Sequence, residues 1–305
     1  MRNLLYFSCF ITFLSFGQKT VQTNEYELLE IKNAVPPQLI IHPKIIFKDN
    51  WHTLPQTIFW KQIITLSPDS CIINVACNRK VLHKVSYHEW MKKTEPQKEF
   101  FKDSLKLVHA LVEAEKINVT SGKNDFYKIK EVSPNITKGI QLFQEFGVDP
   151  WYAQAILLIE SPAQLKKSIS GAYGAFQLMP GVARNYGLIV NNSVDERESF
   201  ERSAFGAAQL ISKSCIPSVK SILQAHNITY KETDLWFRLL VMHVYHAGAT
   251  NVRAVINKIQ PTQGGQELIK QIWSTTAGSF GNSSQNYTQV ALATQLLLHE
   301  ISTAH

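Results

Sequence analysis

Cysteine is scarce in this 305-residue sequence: there are four, and none stands in a short paired spacing with another Cys or with a His. The ten histidines are scattered, so a zinc finger or ribbon is excluded, and neither metal nor cofactor is expected. Fourteen glycines and twelve prolines are too few for a collagenous or low-complexity chain. Charged residues are also sparse, 18% against 45% hydrophobic, the reverse of a disordered composition. No run of about five or six Lys/Arg occurs. The net charge of +7 is therefore spread thinly, and no nucleic-acid partner is expected. Beyond the N-terminus no stretch approaches about eighteen apolar residues, so the mature chain should contain no membrane span. There is no internal repeat.

What is present begins with residues 1–17, MRNLLYFSCFITFLSFG. Arg2 supplies a short positive region, Leu4 to Phe16 is almost wholly apolar, and Ser15-Phe16-Gly17 places small residues where a signal peptidase reads. This pattern reads as a secretory signal peptide, cleaved near Gly17, so the mature protein is expected to be exported. Cys9 lies too early in the apolar run to be a lipid-attachment site. Export permits a disulfide, and Cys71 and Cys77 could close a small loop; buried free thiols are the alternative. Six Asn-x-Ser/Thr triplets, at Asn118, Asn135, Asn191, Asn227, Asn282 and Asn286, would be glycan acceptors only in a eukaryotic secretory pathway.

Three segments are expected: the leader 1–17, an N-terminal accessory region 18–130, and a catalytic domain 131–305. Pro36-Pro37, Pro43 and Pro55 break residues 18–60 into irregular pieces that should pack onto the rest of the chain. The apolar residues Trp51, Trp60, Phe100 and Phe101 make a free linker implausible. Ile63 to Leu82 is ambiguous. Phe101, Leu105, Val108, Leu111 and Val112 recur at helical spacing, and Thr120 to Asp125 reads as a turn. After residue 130 the helices have legible ends. Ile140, Phe143 and Phe146 form a stripe closed by Gly147, and Asp149-Pro150 restarts a helix as N-cap and first residue. Further helices are expected over 200–215, 218–225, 233–246, 251–258, 266–273 and 284–301. The fold class is mainly α, a helical catalytic domain with the partly helical accessory region packed on it.

One residue stands out. Glu160 ends the apolar helix begun at Trp151, and both desolvation and the negative helix end disfavour its charge. That raises a carboxyl pKa toward neutrality, as a general acid requires. The plain alternative is a carboxylate facing solvent, or one paired with Lys166. Downstream, Ser168 to Pro180 is dense in small residues that let backbone approach a ligand, and Gln177 offers a donor and an acceptor to a sugar amide. Tyr245-His246-Ala247-Gly248 closes one later helix, and Tyr287 opens the last.

These four blocks resemble the soluble lytic transglycosylases, a branch of the lysozyme superfamily related to the goose-type lysozymes. The family pattern is Glu-Ser, then Ser-x-x-Gly-Ala-x-Gly-x-x-Gln-Leu-Met-Pro, then Ala-Tyr-Asn-Ala-Gly, then a tyrosine in a C-terminal helix. Here it reads as Glu160-Ser161, Ser168 through Pro180, Tyr245 through Gly248, and Tyr287. The resemblance covers roughly residues 140–300 and implies a lysozyme-like fold. It also implies that Glu160 is the single catalytic acid and base, with Ser168, Gln177, Met179, Tyr245 and Tyr287 binding substrate. The substrate would be peptidoglycan glycan strands, cut by a monomer between N-acetylmuramic acid and N-acetylglucosamine with 1,6-anhydro ends formed. The sequence departs from the pattern twice. His246 replaces the usual asparagine, reading as a helix-end residue whose charge suits the dipole, and the segment between Glu160 and Ser168 is one residue short. Two alternatives follow. One is a goose-type lysozyme-like hydrolase in which Asp195, Glu198 or Glu201 positions a water; the other is a catalytically impaired peptidoglycan-binding scaffold.

Overall fold

A computed structural model describes residues 27–31, 38–127, 129–160, 167–168 and 170–303. The expected leader, and the segment 161–166 whose shortness the sequence suggested, lie outside the described residues. The protein is mostly helical with two small sheets. It opens with an antiparallel pair, β1 (Leu28–Ile31) and β2 (Gln38–Ile41), followed by α1 (Lys44–Lys48) and α2 (Pro55–Thr65). Next come β3 (Ser70–Val75) and β4 (Val81–Ser86), then α3 (Tyr87–Lys92), α4 (Glu95–Val108) and β5 (Ile117–Ser121); the three strands form an antiparallel sheet ordered β4-β3-β5. The remainder is helical: α5 (Ile129–Glu145), α6 (Trp151–Glu160), α7 (Pro180–Asn185), α8 (Phe200–Leu210) and α9 (Ile216–Ala225), then α10 (Leu235–Ala247), α11 (Ala249–Ile259), α12 (Gln266–Ser274) and α13 (Asn282–Thr303).

Local chemistry sets the ends of these elements. Gly147 adopts φ +68°, and the Val148 amide donates to the Phe143 carbonyl at 2.9 Å, so α5 closes through a left-handed cap. Thr94 and Gln97 form a capping box at the start of α4. The ambiguous stretch after Ile63 resolves into the end of α2, strand β3 and the turn into β4. A five-residue π-helical turn, Ile211–Cys215, joins α8 to α9 just before Pro217. The widened turn leaves room for a residue that cannot donate an amide hydrogen bond.

One apolar core runs through both halves of the chain. Ile40, Ile46, Trp51, Phe59, Trp60 and Ile63 belong to the same buried cluster as α5, α6, α10 and α13. Polar side chains fix the join. Gln154 on α6 acts as an extra strand residue for β2: the Ile41 amide donates to its Oε1 at 2.8 Å, and its Nε2 donates to the Ile41 carbonyl at 3.0 Å. Thr137 on α5 does the same for Leu39, and Trp60 Nε1 donates to Gln289 of α13 at 3.1 Å. These buried donors and acceptors would cost about 1–3 kcal/mol each if left unmet. They give the N-terminal segment one register on the helices.

The sheet and α3–α4 behave differently. They enclose a second, smaller core of Ile73, Val75, Leu82, Trp90, Leu105 and Ile117. The stripe read from Phe101 to Val112 is only half an inner face. Leu105 is buried and Phe101 packs on the small core, but Val108 and Val112 are exposed and Phe100 is 76% exposed. Phe100 is therefore no anchor of the accessory region. Cys71 and Cys77 are both free thiols, the first buried in β3 and the second exposed, so the small loop is not closed by a disulfide. Among the described residues no helix is long and apolar enough to cross a membrane.

Candidate active site

α6 delivers Glu160. Asp149 Oδ1 accepts the Trp151 amide at 3.0 Å as N-cap, while its other oxygen pairs with the Arg238 guanidinium of α10 at 2.6 Å. The start of α6 is thereby fixed to a neighbouring helix. Trp151 through Ile159 are all buried, so the helix is apolar on every side. Only at Glu160 does it meet a cleft. Burial pushes the Glu160 carboxyl up to about 7, although part of the residue opens to the cleft. The Tyr287 hydroxyl beside it pulls in the opposite direction, without the geometry of a close hydrogen bond.

The small-residue segment forms a tight loop along the cleft. Ser168 Oγ accepts the Ala172 amide at 2.8 Å, and Tyr173 and Leu178 exchange backbone hydrogen bonds at 3.1 and 3.0 Å. Gly174 has φ +81°, and a Cβ there would lie 1.9 Å from the Arg197 carbonyl oxygen. No other residue type fits that position. Gln177 also has positive φ, and its Nε2 donates back to the Gly174 carbonyl at 3.0 Å. That donor braces the loop while Gln177 also lines the cleft.

Arg197, only 1% exposed, clamps the loop from behind. Its Nη1 donates to the Gly171 and Leu178 carbonyls, each at 2.9 Å, and its Nε and Nη2 bind Asp195 at 2.8 and 2.6 Å. Nothing in the sequence marked Arg197 for this position. The three acids considered as water-positioning groups are engaged elsewhere. Asp195 holds Arg197, Glu198 accepts from Tyr173 Oη at 3.2 Å, and Glu201 pairs with Lys138.

The remaining walls come from α10 and α13. Tyr245 Oη donates to the Phe176 carbonyl at 2.6 Å, tying α10 to the loop. His246 stacks on Tyr287 with ring centroids 4.2 Å apart. Its other surface is exposed in the cleft, yet the surrounding protein lowers its pKa, an effect that water in the cleft moderates. His246 does stand in the last turn of α10, as expected, and its ring also faces the cleft, where desolvation works against its charge.

The result is a cleft of about 290 Å³ that brings together Glu160, Ser168, Gln177, Met179, Tyr245 and His246. Met179 is 41% exposed at the rim. Tyr287 lies beneath, buried against His246 and Glu160. Sequence reasoning missed Tyr127, whose hydroxyl pKa is raised by burial and by Glu160. It lies between the Thr120–Asp125 turn and α5. Three tyrosines, Tyr127, Tyr245 and Tyr287, therefore sit within electrostatic reach of one carboxyl. Among the described residues no group of His, Cys, Asp and Glu could hold a metal ion. The chain matches no protein-family model and no curated protein.

Proposed function

We propose that this chain is a peptidoglycan lytic transglycosylase with a lysozyme-like helical domain. It would act as an exported monomer of the periplasm or cell envelope. The observation that carries the reading is Glu160: a carboxyl with its pKa raised to about 7, and the one acid lining the cleft among the described residues. Glycosidases that use a nucleophile or an activated water need two carboxyl groups across the bond, about 5–9.5 Å apart. A single carboxyl suits a substrate that brings its own nucleophiles. N-acetylmuramic acid carries a 2-acetamido oxygen and a C6 hydroxyl.

In this mechanism neutral Glu160 protonates the leaving glycosidic oxygen between N-acetylmuramic acid and N-acetylglucosamine. The acetamido oxygen stabilises the oxocarbenium-like centre. The ionised Glu160 then takes the proton of the C6 hydroxyl, whose oxygen closes onto C1 to give the 1,6-anhydro end without water. Tyr287 would donate toward the carboxylate at that stage. The loop braced by Arg197 and Gln177 supplies a rigid wall, and rigidity keeps reacting groups in register. The engagement of Asp195, Glu198 and Glu201 with Arg197, Tyr173 and Lys138 favours this reading over the hydrolase alternative.

The test is digestion of purified sacculi by the mature protein and by Glu160→Gln, with the muropeptides analysed by mass spectrometry. Anhydro-ended products from the wild type alone support the reading. Reducing ends would mean hydrolysis, and binding without release would mean a scaffold.

A further inference from the structure

A second, larger cavity of about 800 Å³ lies between the three-stranded sheet and the start of α13. Its character is opposite to that of the Glu160 cleft. Arg79, Lys116 and Lys123 line it, with Asn118, Asn282 and Asn286, and no Asp or Glu is among its lining residues. The aromatic floor is Trp60 and Trp273, whose indole N–H groups are spent on Gln289 and Thr288.

Arg79 is the informative residue. It is only 5% exposed, yet no carboxylate pairs with it among the described residues. Its Nη2 donates to Asn286 Oδ1 at 2.6 Å and to Asn282 Oδ1 at 3.2 Å, while its Nε and Nη1 donate to no described protein group. Removal from water is the main influence on its guanidinium, and it disfavours the charge. A buried cation without a counter-ion is costly. The backbone adds to the cost, since Arg79 sits at φ +62° in the turn between β3 and β4, a conformation that non-glycine residues seldom adopt. Lys116 and Lys123 enter no ion pair among the described residues either, and the N-terminus of the 22-residue helix α13 points its partial positive charge into the same space. Among the described residues three cations and a helix end converge with no carboxylate to meet them, the Phe59 ring face 5.7 Å from the Arg79 guanidinium being the partial compensation.

We infer that this cavity is a binding site for an oxyanion, a carboxylate or phosphate borne on a polar ligand, with Arg79 as its central donor. With Nη2 held by the two asparagines, the Nε–H and Nη1–H groups of Arg79 remain as charge-assisted donors that an oxyanion can accept singly. Asn282 and Asn286 hold the fork in place, and Lys116 and Lys123 supply longer-range attraction at the mouth. Cys77, exposed and on the cavity wall, gives a natural reporter. The site stands apart from the proposed turnover at Glu160.

The experiment is isothermal titration calorimetry of the full mature protein with inorganic phosphate, with sodium glucuronate and with neutral N-acetylglucosamine. Protection of Cys77 from a maleimide is read in parallel. At least one anionic arm should bind saturably and shield Cys77, and the arm that binds identifies the oxyanion. Arg79→Gln should weaken that binding at least about tenfold, the scale of a lost charge-assisted hydrogen bond. Should that variant misfold, the double variant Lys116→Gln/Lys123→Gln, altered only at the mouth, should still weaken binding and make it less sensitive to salt. Glu160→Gln should bind as wild type does, which separates this site from the catalytic reading. Absence of binding by both anions would overturn the inference. So would equal binding of the neutral sugar, or binding unchanged in both sets of variants.

Discussion

Glu160 and Arg197 serve the same cleft, and both are ionisable groups largely withdrawn from water. Among the described residues Glu160 has no Lys or Arg beside it in the cleft lining, and burial lifts its pKa to about 7. Arg197 has every advantage that Glu160 lacks: a bidentate carboxylate and two backbone carbonyls at hydrogen-bond distance. A satisfied buried charge fixes geometry and is inert. An unsatisfied one remains ready to exchange its proton. The cleft uses one of each, and substitutions can test whether that division of labour is real.

The largest effect is expected at Glu160. Glu160→Gln keeps the shape and removes the proton, so turnover on sacculi should drop by at least about a hundredfold while circular dichroism stays unchanged. Wild-type turnover in this variant would identify the wrong residue. Arg197→Met should do the reverse. It strands Asp195 and two loop carbonyls, and breaking a buried pair costs about 3–5 kcal/mol, so thermal unfolding should shift downward first and activity should follow the loop. An unchanged melting curve would mean that the loop does not depend on its clamp.

A subtler contrast appears with pH. The folded pKa of Glu160 lies above its ordinary value of 4.5, so its neutral form favours the folded state. That contribution is fully present below about 4.5 and is lost as pH rises through about 7. Glu160→Gln, always neutral, should therefore gain melting temperature over wild type at pH 8 and show little difference at pH 4. Equal differences at both pH values would contradict a raised carboxyl pKa. Turnover per bound substrate should also decline above about pH 7 as the acid form is depleted. The smallest effect belongs to Tyr287→Phe. Removing the hydroxyl removes an influence that lowers the Glu160 pKa. The alkaline limb of the pH–rate profile should move upward, and a downward move would reverse the assigned role.

How much of this was legible depended on whether the controlling interaction was local. Asp149-Pro150 and Gly147 act within one turn of chain, so the ends of α5 and α6 could be read directly. The uninterrupted apolar run Ala155–Ile159 marked Glu160 as the odd residue, and the loop after Ser168 announced itself by its small residues. Arg197 could not be read in this way. Asp195-Glu196-Arg197-Glu198 looks like a solvated helix start, and only the carbonyls of Gly171 and Leu178, far back in the chain, make it a buried clamp. Tyr127 was hidden for the same reason, since its neighbours Lys123, Asn124 and Asp125 read as a turn. Phe100 erred in the opposite direction: helical spacing identifies a face but does not say how wide the covered part is.

The position of α13 has a consequence for the order of assembly. This helix is buried along most of its length, touches α2, α5, α6, α10 and α12, and carries Tyr287 to Glu160. Residues more than a hundred positions upstream meet polar partners on it: the Trp60 indole bonds Gln289, and Gln154, already paired with Ile41, adds Gln295. A chain emerging from the ribosome therefore holds α2 and α6 with an open seam until residue 303 is nearly made. Contacts so distant in sequence close slowly, because the loop entropy must be overcome before they form. The loop, its Arg197 clamp and Tyr245 are joined without α13, and the docking of α13 adds Tyr287 beside the acid.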